Sequence, residues 1–444
     1  MMSLIPSARS ISRTLGQVTT QVTHTRPLRK ALSTDKKSNF EYPINPPCTI
    51  SDIKPMQGVP WRKLTPDQRV SRMTQEWGIP TQLVEKLTVP LATVAKLSEG
   101  VAGHTTNPWS VVERVLINGT LYRLPFSSNE PSVGAGLTWA SKAIEESGGC
   151  IATAKAALMT TQVQLKGSPS LSEQEVTQVV LKIKDNEAQL IDSINVQFPN
   201  MKARGGGALS LHVVPLPPQK SGERWMFSVN ILHDVCEAQG ANYLTSTATY
   251  IAPQLSTLTE LEAGLRILSN SGSHRTTTVM VRVSPNSLKT KEVPGDKMVD
   301  LILEAHQFAC RDTEYRLPTD TKGGLNGFEA VLHAFGEDSR AAYVALLAHM
   351  YVDGKPKPLV EWHKDNEGYL LGTATIPTVA GLVGKRLPHA ELSIAVSSIK
   401  TSKELGCLLA YSLIAQNLAA LRALSTPGGI KEQHDDKFAK KVDL

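Results

Sequence analysis

The sequence has few cysteines for its 444 residues, and they are scattered. The five cysteines are Cys48, Cys150, Cys236, Cys310 and Cys407, and none of them forms a C-x-x-C pair. This spacing indicates neither a disulfide framework nor a zinc site, and it is typical of a protein in a reducing compartment.

The common nucleotide and metal motifs are also missing. No G-x-G-x-x-G opens a helix after a strand and no G-x-x-x-x-G-K-[ST] occurs, so neither a Rossmann nor a P-loop site is predicted. The glycine-rich run at 205–210 leads into a strand pattern and is interpreted as a structural turn. The eleven histidines include no H-E-x-x-H, and no metal site is predicted.

No uncharged run reaches the roughly 20 apolar residues that a membrane-spanning helix needs. The stretch at 405–421 has no formal charge, but it contains three polar side chains and is followed by an arginine. We interpret it as a buried core helix that Ser402 caps and Pro427 stops. No membrane span is therefore expected.

Positive charge is concentrated at the N-terminus. The net charge is +6, and residues 1–34 contribute five basic and no acidic side chains, which leaves +1 for the rest. The nearly neutral body argues against a nucleic-acid partner. The basic segment is also rich in Ser and Thr, which is typical of a mitochondrial presequence, with a basic tail as the alternative. The predicted location is the mitochondrial matrix, or the cytoplasm if the segment is not a presequence. Residues 35–60 are proline-rich and are interpreted as a linker or surface arm.

The central part of the chain has the clearest secondary-structure pattern. Residues 158–166 alternate like a strand, and Ser172 with Glu175 forms a capping box before a helical face that runs to Ile194. Two strand-like runs follow, at 207–216 and 224–233. A helix is expected from about Glu237 through the 250s, and a last strand at 264–270. This order is the split βαβ, or ferredoxin-like, arrangement.

These patterns predict a mixed α/β (α+β) fold with an inserted domain. A large, helix-rich domain is expected over 61–156 and 270–424, interrupted by a small ferredoxin-like domain over 157–269. Residues 425–444 form a short tail. In the large domain, Thr65 and Pro66 mark a helix start, and a glycine pair ends a helix over 131–149.

One lysine stands in an unusual context. Residues 317–327 read LPTDTKGGLNG, which places Lys322 in a run of turn formers. The pattern predicts a loop, in which the ammonium is either solvated at the tip or directed inward. Local sequence alone does not decide between the two.

Six motifs in order resemble one family. They are NEPSVGAG (129–136), DVCEAQGAN (234–242), LRILSN (265–270), YRLPTDTKGGLNG (315–327), GEDSRA (336–341) and AQNLAALRAL (415–424). The chain resembles hydroxymethylglutaryl-CoA reductase of the bacterial class II type from about Trp61 to His434. EGVAG at 99–103 is similar to the dimerisation motif of that family.

The resemblance implies an oxidoreductase of the mevalonate route to isoprenoids. It implies reduction of hydroxymethylglutaryl-CoA to mevalonate and CoA, or the reverse, with NADPH or NADH. It also implies a homodimer or larger homo-oligomer, with the acyl-CoA on the large domain, the dinucleotide on the small domain and the site at the subunit interface.

The resemblance assigns catalytic roles to four residues. Lys322 is the ammonium that stabilises charge on the substrate oxygen, Glu130 the proton donor to the aldehyde, Asp338 the link between them, and His434 the acid that protonates the CoA thiolate. Each has an ordinary alternative: the two carboxylates could stabilise helix starts, and the histidine could be one polar residue of a tail.

Binding residues follow from the same resemblance. Those for the substrate are Ser132, Arg316, Asn326, Ala420 and Leu424, and those for the dinucleotide are Glu237, Gln239, Gly240, Asn242 and Asn270. The family's D-A-M-G appears as EAQG, which is expected to alter dinucleotide affinity. The chain ends ten residues after His434, where bacterial-type members continue into a helical flap. A non-catalytic dimeric relative that binds CoA or dinucleotide is therefore the alternative. A third possibility, another CoA-dependent enzyme on the same scaffold, would keep Lys322 and lose Arg316 or Asn326, and both are present.

Overall fold

The computed structural model of the chain describes residues 59–97, 99–384 and 387–427. The predicted presequence, nearly all of the predicted linker and His434 lie outside these residues. The helices and strands are, in chain order, α1 (Pro66–Ser71), α2 (Thr81–Val84), α3 (Leu91–Val94), β1 (Trp109–Ile117), β2 (Thr120–Ser127), α4 (Pro131–Glu146), β3 (Cys150–Ala154), β4 (Leu158–Lys166), α5 (Glu173–Asp185), α6 (Glu187–Gln197), α7 (Pro199–Ala203), β5 (Gly207–Leu216), β6 (Met226–Asp234), α8 (Ala241–Thr259), β7 (Glu262–Ser269), β8 (Thr276–Val283), α9 (Pro285–Leu288), α10 (Gly295–Arg311), α11 (Arg316–Ala334), α12 (Ser339–Met350), β9 (Tyr351–Val352), β10 (Lys355–Pro356), β11 (Glu361–Lys364), β12 (Leu370–Pro377), α13 (Pro388–Ser397) and α14 (Ser402–Ser425).

Two sheets organise the chain, and the mixed fold class is confirmed. The larger sheet has six strands in the order β11-β12-β8-β3-β1-β2, and β1 pairs with β3 in parallel while the other neighbours are antiparallel. Its core is one cluster of buried apolar side chains contributed by the sheet and by α4, α10, α11 and α14. The six-stranded sheet and the helices packed on it are called the larger layer, and this layer carries Glu130 and Lys322.

The long apolar helix α14 lies inside that core. It is long and apolar enough to cross a membrane, but 67% of its most apolar window is buried in the protein. The predicted core helix is thus confirmed. Its cap is Thr401 rather than Ser402: the Thr401 hydroxyl accepts from the Glu404 N–H, and the Glu404 carboxylate accepts from the Thr401 N–H. Ser402 is instead the first helical residue and is buried.

The smaller sheet has the predicted ferredoxin-like topology. Its strand order is β5-β6-β4-β7, all antiparallel, with α5, α6 and α8 packed on one face around a separate apolar cluster. The Ser172–Glu175 capping box forms as predicted. Two details differ from the prediction: the helical face is divided at Asn186 into α5 and α6, and α8 begins at Ala241 rather than near Glu237.

Strand register brings three connections of this sheet to one end. Leu158 at the start of β4 is paired with Asp234 at the end of β6, and Asp234 is also paired with Gly207 at the start of β5. Ser269 at the end of β7 pairs with Thr160 of β4. The segments after β6 and after β7 therefore emerge together, beside the connection from the larger sheet into β4.

The prediction of a loop around Lys322 was wrong. Residues 316–334 form the helix α11, and its glycines permit close packing rather than a turn. A Cβ added to Gly327 would lie 2.5 Å from the Ser412 carbonyl oxygen and 2.7 Å from the Gln416 Cβ, both on α14. Lys322 is consequently held on a rigid helix.

Replacing Gly327 with alanine should destabilise the protein. The new methyl group would meet the α14 backbone, and forced overpacking of this kind costs typically about 1 to 3 kcal/mol. Gly323→Ala is the matched control on the same helix, because its Cβ would lie 3.3 Å from the Ala420 side chain and α14 backbone is not in the way. Urea unfolding should show a clearly lower midpoint for Gly327→Ala only. Equal midpoints would mean that the two helices are not closely packed.

Candidate active site

An ion pair between Lys322 and Glu130 lies at the centre of the candidate site. The Lys322 ammonium lies 3.3 Å from Glu130 Oε2, although the two residues are 192 positions apart. The side chains are 63% and 40% exposed, respectively. The fold therefore brings a cation and a carboxylate together at the surface of the single chain, where either can reach a bound molecule.

Glu130 is positioned by the start of α4. It is the N-cap residue, followed by Pro131, and its own N–H donates to the Ser128 hydroxyl at 3.1 Å. The Ser132 hydroxyl donates to Glu130 Oε1 at 2.8 Å. The positive end of the α4 dipole favours a negative charge at this place. The two predicted site residues of this segment, Glu130 and Ser132, are thus directly joined.

Helix α11 carries the predicted anion anchor, Arg316, six residues before Lys322. The side chain of Arg316 is 15% exposed, and its Nη2 lies 3.6 Å from Asp320 Oδ1. Asn326 follows on the same helix, one turn after Lys322. A guanidinium fixed on a helix suits recognition of a carboxylate.

The predicted apolar wall belongs to α14. Ala420 lies against α11, since a Cβ added to Gly323 would be 3.3 Å from the Ala420 Cβ. Leu424 is one turn further along α14 and is 46% exposed, so it is available to a ligand. The packing of α11 on α14 brings this wall close to Lys322.

Asp338 has different partners from those predicted. It caps α12 by accepting from the N–H groups of Arg340 and Ala341, and the Arg340 guanidinium binds it at 2.9 Å. The hydrogen bond from the Arg340 guanidinium, together with these N–H groups, lowers the pKa of Asp338. Among the described residues its carboxylate contacts Arg340 and Ala341, so a link to Lys322 and Glu130 stays a prediction.

The segment after β6 is held in place by buried polar contacts. One carboxylate oxygen of Glu237 accepts from the Ser402 N–H at the start of α14, and the Ser402 hydroxyl donates to the Cys236 carbonyl. Arg275 is 4% exposed and donates to the carbonyl oxygens of Ala238 and Ala380. Burial lowers the pKa of Arg275 to about 10. Glu237 therefore fixes the loop to the larger layer.

The remaining predicted dinucleotide residues surround the start of α8. Gly240 has φ +102°, and a Cβ on it would lie 2.8 Å from Val235, so this position requires glycine. Asn242 is exposed in the first turn of α8, and Asn270 directly follows β7 at the same end of the sheet. Unpaired N–H groups at a helix start attract phosphate oxygens, so these residues fit a dinucleotide.

The sequence prediction missed Asp320, Asn417, Trp362 and Arg275. Asp320 is four residues after Arg316, a spacing that indicates an ion pair only once residues 316–334 are recognised as helical. Asn417 contacts Asp320, and Trp362 contacts Asn417, only through tertiary packing. No local pattern indicates that Arg275 is buried.

Comparison with known proteins gives consistent matches. A family model described as hydroxymethylglutaryl-coenzyme A reductase matches residues 65–437, a range that includes His434. The 3-hydroxy-3-methylglutaryl-coenzyme A reductase of Archaeoglobus fulgidus is 30% identical over 390 residues, which cover 86% of this chain and 85% of the relative. A probable enzyme of the same name from Borreliella burgdorferi is 29% identical over 353 residues, covering 78% of this chain and 77% of the relative.

Solved structures agree with the sequence relatives. The class II 3-hydroxy-3-methylglutaryl-CoA reductase from Streptococcus pneumoniae, bound to NADPH in open conformations, superimposes with a TM-score of 0.75 at 30% identity. The match covers 82% of this chain and 99% of that chain. The family match begins at residue 65 and does not support the predicted mitochondrial location.

Proposed function

The chain belongs to the hydroxymethylglutaryl-coenzyme A reductase family, and on that premise we propose that Lys322 and Glu130 form its catalytic centre. The reaction is the reduction of hydroxymethylglutaryl-CoA to mevalonate and CoA, or its reverse. The observation that carries the proposal is the 3.3 Å contact of Lys322 with Glu130, formed between the two motifs that resemble the family's catalytic segments.

Lys322 acts on the substrate oxygen. Negative charge grows on that oxygen in both reductive steps, and a fixed ammonium stabilises it most in the transition state. Glu130 contacts the Lys322 ammonium and supplies the proton that the aldehyde oxygen takes up.

The other two catalytic assignments rest on the family resemblance. Asp338 is ionised beside Arg340 and is proposed as the third charged member of the network. His434 lies outside the described residues and is proposed to protonate the departing CoA thiolate. Arg316 and Asn326 are proposed to bind the carboxylate and hydroxyl end of the substrate, and Ala420 and Leu424 its apolar part.

We place the dinucleotide at the end of the smaller sheet where the segments after β6 and β7 meet. Gln239, Gly240, Asn242 and Asn270 would hold it, while Glu237 keeps the loop in position. When bound, the dinucleotide supplies the hydride equivalents. The NADPH-bound relative supports NADPH as the cofactor here. The self-contained sheet and cluster support 157–269 as an inserted cofactor domain between the two parts, 61–156 and 270–424, of a substrate domain.

The cellular location of the enzyme is a proposal as well. The prokaryotic relatives support the cytoplasm as the location of the enzyme. Residues 1–34 keep the mitochondrial matrix as the alternative, which import of a reporter fused to this segment would decide. The non-catalytic alternative is disfavoured, because a binding module has no use for the Lys322–Glu130 pair.

Lys322→Ala should nearly abolish reduction of both hydroxymethylglutaryl-CoA and free mevaldehyde. The loss of an oxyanion-stabilising group costs about 3 kcal/mol or more in the transition state, while binding of CoA should persist. Turnover of each substrate is followed by the absorbance of NADPH, and CoA binding by calorimetry.

His434→Ala is the contrasting variant for this measurement. A thiolate leaves only from the thioester, so His434→Ala should slow the reduction of hydroxymethylglutaryl-CoA, by at most about 10²- to 10⁴-fold, and leave the reduction of mevaldehyde nearly unchanged. Unchanged turnover in Lys322→Ala would reject the catalytic role of that lysine. Equal losses on the two substrates in His434→Ala would reject its role as acid to the thiolate.

A homodimer is proposed from the exposure of the site and of one helix. The Lys322 ammonium is 63% exposed in the single chain, although an oxyanion-binding group works best where water is excluded. Helix α12 and the residue after it carry exposed apolar side chains at helical spacing: Val344 is 53% exposed, Leu347 52% and Tyr351 59%. Such a stripe marks an interaction surface.

Val344→Asp should convert the protein to monomers and remove its activity. The carboxylate would be buried without a partner in an apolar interface, which is unfavourable. Val196→Asp is the matched control, because Val196 is 79% exposed on α6 of the smaller sheet. Sedimentation velocity should show a dimer for the wild type and the control only. A monomeric wild type that is fully active would contradict the proposed interface site.

A further inference from the structure

A buried polar chain runs from Arg316 into the core of the larger layer. It consists of Arg316 and Asp320 on α11, Asn417 on α14 and Trp362 on β11. Asp320 is 4% exposed, while Asn417 and Trp362 are each 2% exposed. Asp320, Asn417 and Trp362 are not among the residues proposed to bind substrate or dinucleotide or to act in catalysis.

The geometry of the chain fixes the direction of each contact. An indole N–H can only donate, and that of Trp362 donates to Asn417 Oδ1 at 2.8 Å. The Asn417 amide nitrogen must therefore point the other way, and it donates to Asp320 Oδ2 at 3.3 Å and to the Asp320 carbonyl oxygen at 3.4 Å. The Asp320 carboxylate is held in one orientation.

The second oxygen of that carboxylate faces Arg316. Asp320 Oδ1 is buried and has no hydrogen-bond partner among the described residues, and Arg316 Nη2 lies 3.6 Å from it. Asp320 thus attracts one arm of the guanidinium without saturating its donors. Arg316 remains 15% exposed, so its other N–H groups can face a ligand.

Burial of this carboxylate works against folding stability. Burial raises the pKa of Asp320, and the opposing effects of Arg316 and Asn417 only partly compensate. The folded protein therefore binds this proton more tightly than the unfolded chain does. Ionisation of Asp320 therefore costs stability as the pH rises through its raised pKa in the folded state. A carboxylate retained at such a cost suggests a functional role.

We propose that Asp320 is a positioning residue that orients Arg316 toward the carboxylate of the substrate, and that Asn417 and Trp362 hold Asp320 in place. The proposal rests on the proposed function, in which Arg316 binds the carboxylate end of hydroxymethylglutaryl-CoA. An arginine whose direction is fixed in advance loses less conformational entropy when it binds an anion.

The test compares a ligand that carries the carboxylate with one that lacks it. Calorimetry measures the Kd of mevalonate and the Kd of CoA for the wild type, Asp320→Asn, Arg316→Met and the double variant. Asp320→Asn should raise the Kd of mevalonate about tenfold, the effect of losing one charge-assisted contact, and leave the Kd of CoA unchanged. In the Arg316→Met background, Asp320→Asn should have no further effect on the Kd of mevalonate.

Two controls separate positioning from structure. Glu146→Gln neutralises the i,i+4 pair with Lys142, which has the same 3.6 Å separation but lies in the open on α4, and it should change neither Kd. Asp320→Asn should melt no lower than the wild type, because a buried charge has been removed. If Asp320→Asn does not fold, Trp362→Phe replaces it, since this change frees Asn417 and should weaken mevalonate binding while leaving CoA binding unchanged.

The outcomes distinguish the proposed role of Arg316 in binding from the proposed role of Asp320 in positioning it. An unchanged Kd of mevalonate in Arg316→Met would reject Arg316 as the carboxylate anchor and with it that part of the proposed function. A raised Kd of mevalonate in Arg316→Met, together with an unchanged Kd in Asp320→Asn, would reject the positioning role of Asp320 alone. Equal loss of mevalonate and CoA binding in Asp320→Asn, together with a lower melting temperature, would show that Asp320 is merely structural.

Discussion

The close packing of α11 on α14 is the constraint on which the candidate site depends. Gly327 leaves no room for a side chain between the two helices, and Gly323 leaves little. Lys322, Arg316 and Asn326 are carried on α11, so their positions relative to the apolar wall of α14 follow from this contact. The same helix α14 begins at Ser402, whose N–H donates to Glu237 in the loop after β6, the proposed dinucleotide loop. One core helix thus contacts both halves of the site.

The site combines charges that the surrounding structure treats differently. Lys322 and Glu130 are accessible, as their proposed role at the substrate requires. Arg275, Asp320 and Asn417 are buried and hold backbone or side chains in place. Buried polar groups with fixed partners hold the residues of a binding site in position. The exposed pair is proposed to act on the substrate oxygen. The exposure of the proposed catalytic pair in a single chain is the reason for proposing a second subunit.

Much of this arrangement could be predicted from sequence, and the exceptions have physical causes. Period-two alternation and a capping box predicted the smaller sheet and the start of α5, because those signals are local. The run around Lys322 was misinterpreted as a loop, since its glycines reflect helix packing that becomes visible only in three dimensions. Thr401 was missed as the cap of α14 because Ser402 offers the same chemistry one residue later. The contact of Lys322 with Glu130 came from the family resemblance, as no local rule joins residues so far apart.

The central claim is that Lys322 and Glu130 act as one catalytic unit, and a double-mutant cycle on turnover tests it most directly. The rates of mevaldehyde reduction are compared for Lys322→Ala, Glu130→Gln and the double variant. Residues that act as a unit are strongly non-additive, so the double variant should be about as slow as the slower single variant. Losses that multiply in the double variant would show that the two residues act independently and would contradict the account.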